Sequence, residues 1–181
     1  MKRITILALG LSLGMCVHLV FAGGEILELG GLKSKVPEGW KKQKPVSRLR
    51  KAQFALPKAK GDKEDADLAI FGGIGGSAEA NIERWKMLFI PPEGKTLAEA
   101  SKLDKYSIGK VAEVVVFDIS GTYLYRDPSN PNAKQERKEN FRRINVILST
   151  DKDSVVITLA GPANTVAKHK AAFDGWIKAF K

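Results

Sequence analysis

Cysteine and histidine are nearly absent from this chain. Its 181 residues hold one cysteine, Cys16, and two histidines, His18 and His169. Cys16 and His18 lie inside an apolar N-terminal run, so the rest of the chain has no thiol and a single imidazole. That excludes a disulfide framework, a thiol nucleophile and a metal site built on Cys or a His pair. Hydrolytic arrangements that need a positioned histidine are left with His169, which falls on the rim of an apolar helical stripe and reads as a boundary residue. Carboxylate chemistry survives these counts. A carboxylate-based hydrolase therefore stays open as a minor reading, although pairs such as Glu136 and Glu139 offer no reason to choose one. No catalytic residue, metal or cofactor is assigned. Internal repeats and long low-complexity segments are also missing.

What is present begins at the N-terminus. Lys2 and Arg3 precede Ile4 to Phe21, a run without Asp, Glu, Lys or Arg, and Val20-Phe21-Ala22 offers small residues where a signal peptidase reads. The expectation is a secretory signal peptide over residues 1–22 and a single mature domain over residues 23–181, periplasmic or secreted. A transmembrane anchor is the rival, disfavoured by the short run and by Gly10, Gly14 and His18 within it. Lipidation at Cys16 is a second rival. Leu13-Gly14-Met15-Cys16 loosely resembles a lipobox, but Met15 is large beside the cysteine and the apolar run continues past it. After cleavage no membrane span is expected.

Lys and Arg number 30 against 20 Asp and Glu, for a net charge of +10. Such a surface attracts polyanions, or serves solubility alone. The cations gather in two stretches. One runs from Lys41 to Lys51 and contributes Arg48, Arg50 and Lys51 as candidate anion-binding residues. The other runs from Lys134 to Arg143 and contributes Arg137, Lys138, Arg142 and Arg143. Tyr123 and Tyr125 alternate on one face of a strand leading to Arg126, where they could stack on a base or form an aromatic ladder. The expected partner is an unidentified protein or an anionic polymer, with a small ligand as a further alternative. There is no firm signature of nucleic-acid recognition.

Hydrophobic periodicity supplies the elements. Strands are read at Leu32 to Val36, Val46 to Leu56, Leu68 to Phe71, Tyr106 to Ile108, Val111 to Ile119, Gly121 to Tyr125, Phe141 to Thr150 and Ser154 to Ala160. Val114 to Phe117 is unbroken and should be buried on both faces. A helix follows Ser77 with Ala78, Ile82, Trp85 and Phe89 as its stripe, ended by Pro91-Pro92. A second opens at Gly161-Pro162, with Val166, Phe173, Trp176, Ile177 and Phe180 facing inward. Arg126 to Glu136 is an exposed loop. Strands joined as hairpins and flanked by helices give an α+β fold with an antiparallel sheet.

Two motifs invite more. Gly73-x-Gly75-x-x-Ala78 lies between a strand and a helix, so Gly75, Gly76 and Ser77 form a weak candidate phosphate turn. The full dinucleotide fingerprint needs a second parallel strand, and Pro91-Pro92 stands there instead. Asp62, Glu64, Asp65 and Asp67 form an acidic loop, but an EF-hand would need Gly and Glu where Asp67 and Gly73 fall, so it reads as a solvated turn.

The Pro37-Glu38-Gly39-Trp40 turn, the strand into a first helix, the central meander and the Gly-Pro-opened last helix ending Trp176-Ile177-Lys178-Ala179-Phe180 together resemble the PsbP-like group, including its DcrB-type exported members. Val36 to Trp40, Arg50 to Phe54, Gly61 to Asp65 and Gly72 to Trp85 resemble uncharacterised exported bacterial proteins. The resemblance spans nearly all of the expected mature domain and contains no catalytic motif. It implies an antiparallel sheet flanked by helices, and a role in binding or in supporting larger assemblies without chemistry. No functional residue carries over from it.

Overall fold

A computed structural model describes residues 24–73, 75–127, 130 and 132–181. The expected leader over residues 1–22, with Cys16, lies outside them. Strand β1 (Ile26–Leu29) and β2 (Leu32–Lys35) form a separate hairpin. The main sheet is built from β3 (Lys41–Gln43), β4 (Arg50–Leu56), β5 (Ala66–Gly72), β6 (Phe89–Ile90), β7 (Ser101–Ile108), β8 (Ala112–Tyr125), β9 (Glu136–Ser149) and β10 (Ser154–Pro162). Helices α1 (Ala78–Lys86) and α2 (Ala163–Lys178) complete the chain. The strand order is β3-β4-β5-β10-β9-β8-β6, and every pairing is antiparallel. Strand β8 is long enough to hold both β7 and β6 along its outer edge. The α+β architecture expected from periodicity is the one observed.

Alternation along the strands makes two faces. One is apolar: Phe54, Leu68, Ile144, Val146, Ile157 and Leu159 are all nearly or wholly buried beneath α2 and the β1–β2 hairpin. The expected α2 stripe is buried there, and Trp40 meets Phe173 and Trp176 at ring separations of 6.5 and 5.3 Å. Each large side chain so buried contributes roughly 2 kcal/mol. The last residue is clipped to the hairpin, since Lys33 and Lys181 exchange backbone hydrogen bonds at 2.9 and 3.2 Å.

The second face is only half covered. Ile82 and Trp85 of α1 pack with Phe117, Ile119, Ile147 and Val156, and Val114 to Phe117 contributes to both faces as expected. Several element boundaries differ from the sequence reading. Phe89 is not part of α1. The helix stops at Lys86, and Phe89 pairs with Tyr123 as one of the two residues of β6. Its spacing from Trp85 is helical, yet the burial comes from a strand. The segments Val111 to Ile119 and Gly121 to Tyr125 are one strand, irregular at Gly121. Strand β7 starts five residues earlier than expected, at Ser101, because its mostly exposed edge position hides the periodicity. The edge strand β3 at Lys41–Gln43 has no counterpart in the sequence reading, because all three of its residues are exposed.

Candidate functional site

Where α1 ends, the second sheet face opens into a groove of about 580 Å³. Its floor follows from register, because residues opposite one another in an antiparallel ladder share a face. Phe71, Val156, Ile147 and Val115 form an apolar row. The next row reads Gln53, Ala69, Thr158, Asn145 and Phe117. The third reads Ala55, Asp67, Ala160, Arg143 and Ile119. Polar groups thus replace apolar ones in the middle of the sheet, in strands whose opposite face is the core.

Two irregularities add cations. The register shifts between Arg50 and Ala52, which sets Arg50 opposite Phe71 on the groove side, its guanidinium 5.6 Å from the ring centre. A second shift lies between Gly121 and Tyr123, across from Asn140, whose φ of 51° is left-handed. Such a bulge lets Lys138 and Phe141 reach the same face although three positions separate them.

These side chains are held in a network. Arg143 Nε donates to Asn145 Oδ1 at 2.9 Å, and its Nη1 donates to the Tyr123 hydroxyl at 3.0 Å. Thr158 Oγ1 donates to the same Asn145 oxygen at 3.1 Å. Asn145 is wholly buried, yet its amide nitrogen has no partner, and neither has Arg50 Nε. Arg50 Nη1 meets Asp67 at 2.8 Å, and Lys138 meets both Glu64 oxygens at 3.0 and 3.1 Å. Lys138 also sits 4.6 Å from the Tyr125 ring centre. One wall is aromatic: Tyr123 stacks on Phe89 and Phe141 at 5.1 and 5.4 Å, with Tyr125 6.0 Å away. Burial, reinforced by Asp127, raises the Tyr125 phenol above its ordinary pKa.

Arg142 and Arg143 are neighbours with opposite environments. Arg142 points to the other face and grips Asp118 with two bonds, at 2.8 and 2.6 Å, and this hydrogen bonding raises its pKa. Burial lowers that of Arg143, against the opposing pull of Tyr123. Its hydrogen-bond partners among the described residues are a phenol and an amide, although it is half-buried in the middle of the sheet.

Of the seven candidate cations, the fold brings Arg50, Lys138 and Arg143 into the groove. Arg142 is on the far face. Lys51 pairs with Asp153 at 2.8 Å, Arg48 is exposed in the loop before β4, and Arg137 is exposed beside a neighbouring concavity with Asp62 and Asn164. The groove balances four cations (Arg50, Arg126, Lys138, Arg143) with four carboxylates (Glu64, Asp65, Asp67, Asp127). In the glycine turn, Ser77 caps α1 by accepting from Ala80 N at 3.2 Å, and the Gly75 carbonyl accepts from Arg84 at 3.3 Å. Hydrogen bonds at this helix start, from its own backbone and from Ser77, hold the Glu79 carboxyl below its usual range. His169 Nε2 donates to the Pro57 carbonyl at 2.8 Å.

The acidic loop is dispersed to different partners. Asp62 takes the backbone N and hydroxyl of Thr165 at 2.8 and 2.6 Å, and Asp65 takes the backbone N of Lys58 at 2.9 Å. No group of three metal-ligating side chains occurs among the described residues. Sequence reasoning missed Gln53, Asp67 and Thr158 as groove residues, and Asn145 as the buried residue that holds Thr158 and Arg143. The available signal was a polar residue interrupting an apolar strand, as in Ile144-Asn145-Val146 and Ile157-Thr158-Leu159.

The class of protein these features define is an α+β antiparallel sheet with one core face and one half-open polar face. No family model matches the sequence, and no curated protein matches it. Among solved structures, the chain is similar to PA94, a Pseudomonas aeruginosa protein of unknown function. The identity is 13%, the TM-score is 0.44, and 85% of this chain and 93% of that one are covered. It is also similar to CyanoP, the cyanobacterial PsbP of Synechocystis, at 14% identity and a TM-score of 0.45, over 93% of this chain and 98% of that one. Likeness at that level carries no functional argument, and the fold class rests on the strand order and helix placement above. No helix among the described residues is long and apolar enough to cross a membrane.

Proposed function

We propose that this chain is an exported binding or assembly-support module, without chemistry of its own, whose ligand seats in the sheet-face groove. The observation that carries the reading is the middle of the sheet. Gln53, Thr158 and Arg143 line the groove at positions where apolar side chains would stabilise the fold more, and Asn145, bonded to Thr158 and Arg143, is buried with its amide nitrogen unpartnered. A polar group buried without a partner costs about 1–3 kcal/mol, a cost that a ligand or bound water would offset. The groove's volume falls in the range of small-molecule sites. Export rests on the N-terminal run of the sequence, and a role in larger assemblies rests on the PsbP-like resemblance.

Native mass spectrometry of the protein recovered from its host's envelope fraction tests this. A small-molecule adduct on a chain shortened by residues 1–22 is the expected result. A polypeptide-sized adduct would favour assembly support over a carrier role, and a bare, unadducted mass would contradict a retained ligand. The exposed Lys41, Lys44 and Arg48 favour one second reading, an anionic polymer at that edge of the sheet. It predicts retention on heparin that persists to high salt.

A further inference from the structure

We propose that Arg143 is the carboxylate anchor of the groove, and that the ligand is a small monocarboxylate with a flat apolar body. The inference rests on reading the groove as the binding site. A guanidinium has five N–H donors. Arg143 uses two of them, on Asn145 and Tyr123, which leaves three without an acceptor among the described residues, including both on Nη2. The two bonds fix the plane of the fork, as pre-organised recognition of a carboxylate requires.

Charge selects the anion. Arg50 and Lys138 are already neutralised by Asp67 and Glu64. Arg143 has no carboxylate within salt-bridge distance among the described residues, whereas its neighbour Arg142 has Asp118. Asp67 lies in the same row two strands away, so its charge reaches Arg143 without a direct contact, and a bound carboxylate would supply the contact ion pair that Arg143 lacks. Because Arg50 and Lys138 are already paired, a dianion or a polymer would bring more negative charge beside Asp67 and Glu64 than Arg143 alone can offset. A monoanion fits, and a planar carboxylate matches the fork.

The body of the ligand follows from the walls. Tyr123, Tyr125 and Phe141 line one side and Phe71 lines the floor. At the mouth stand Val46 and Leu49, which are 51% and 76% exposed. A flat apolar group between them would cover these side chains and pack against the aromatic wall.

The test uses 2-naphthylacetate, indole-3-acetate and benzoate, each beside its uncharged amide, with inorganic phosphate as a further anion. Binding is followed by ¹H–¹⁵N NMR of the folded protein, including the Arg143 Nε–H signal. At least one acid should bind in the groove about tenfold to a hundredfold more tightly than its amide, the range of a charge-assisted pair. Phosphate should bind more weakly than that acid. Arg143→Gln should abolish the acid-over-amide preference while amide binding persists, and Arg143→Lys should restore part of it. Should Arg143→Gln fail to fold, the Arg143→Lys variant and the Nε–H shift carry the comparison. Acids and amides binding equally in the groove would overturn the carboxylate anchor and leave the groove reading standing. Perturbations confined to another surface would overturn both. Failure of every acid to bind would overturn the proposed ligand class.

Discussion

Asp62 should behave as the N-terminal cap of α2, although it lies about one hundred residues away in sequence. The helix begins after Pro162, which offers no side-chain cap, and has no acidic residue in its first turn. Asp62 fills that place, accepting from Thr165 N at 2.8 Å and from Thr165 Oγ1 at 2.6 Å. Thr165 is wholly buried, and its hydroxyl oxygen in turn accepts from Ala59 N at 3.0 Å, so the contact ties the β4–β5 loop to the helix. Losing a cap costs about 1 kcal/mol, and a charge-assisted bond adds a comparable amount, so Asp62→Ala should destabilise by about 2 kcal/mol. In a domain of this size that lowers Tm by about 4–8 °C. Asp62→Asn keeps an acceptor but loses the charge facing the helix dipole, and should cost about half as much. Urea unfolding followed by circular dichroism measures both variants. An Asp62→Ala protein within about 0.3 kcal/mol of the parent would refute the capping argument.

Two further outcomes follow from the geometry. Gly121 has its backbone against the Ile90 carbonyl where β6 meets β8, so a Cβ there would collide with main chain. Gly121→Ala should cost about 2 kcal/mol or more in chemical denaturation and loosen Phe89 against Tyr123. The hydrogen bond from Lys51 is the first cause holding Asp153 below its usual carboxylate range, with a backbone bond from Ser154 also contributing. A depressed carboxyl stabilises above its unfolded value and loses that contribution as pH falls through its folded one. Lys51→Met should therefore raise the Asp153 midpoint, followed by NMR, toward about 3.9 and weaken the dependence of stability on pH below that value.

The elements with one clear period were legible in the sequence. The Ser77 cap, the α2 stripe and the β9–β10 hairpin all follow from spacing. Phe89 misled because its distance from Trp85 satisfies a helical repeat that the chain abandons at Lys86. Edge strands such as β3 and β7 carry little burial and hence little pattern. The groove was legible only in pieces. Arg50, Lys138 and Arg143 stood out as cations, but their convergence depends on two register shifts and on a strand order that puts β10 between β5 and β9. Asp62 looked like a solvated carboxylate because its partner comes from the far end of the chain. Non-local pairing, not composition, separates Arg142 from Arg143.

If the half-open sheet face holds a ligand, filling that face should expel it. Ala160 lies on the groove floor, between Asp67 and Arg143 in register. Ala160→Trp would occupy the space beside Arg143 without touching the α2 core. Parent and variant would be recovered from the host envelope and compared by native mass spectrometry, with thermal unfolding as the folding control. A small-molecule adduct is expected on the parent and not on the folded variant. An adduct of equal occupancy on both proteins would contradict that expectation.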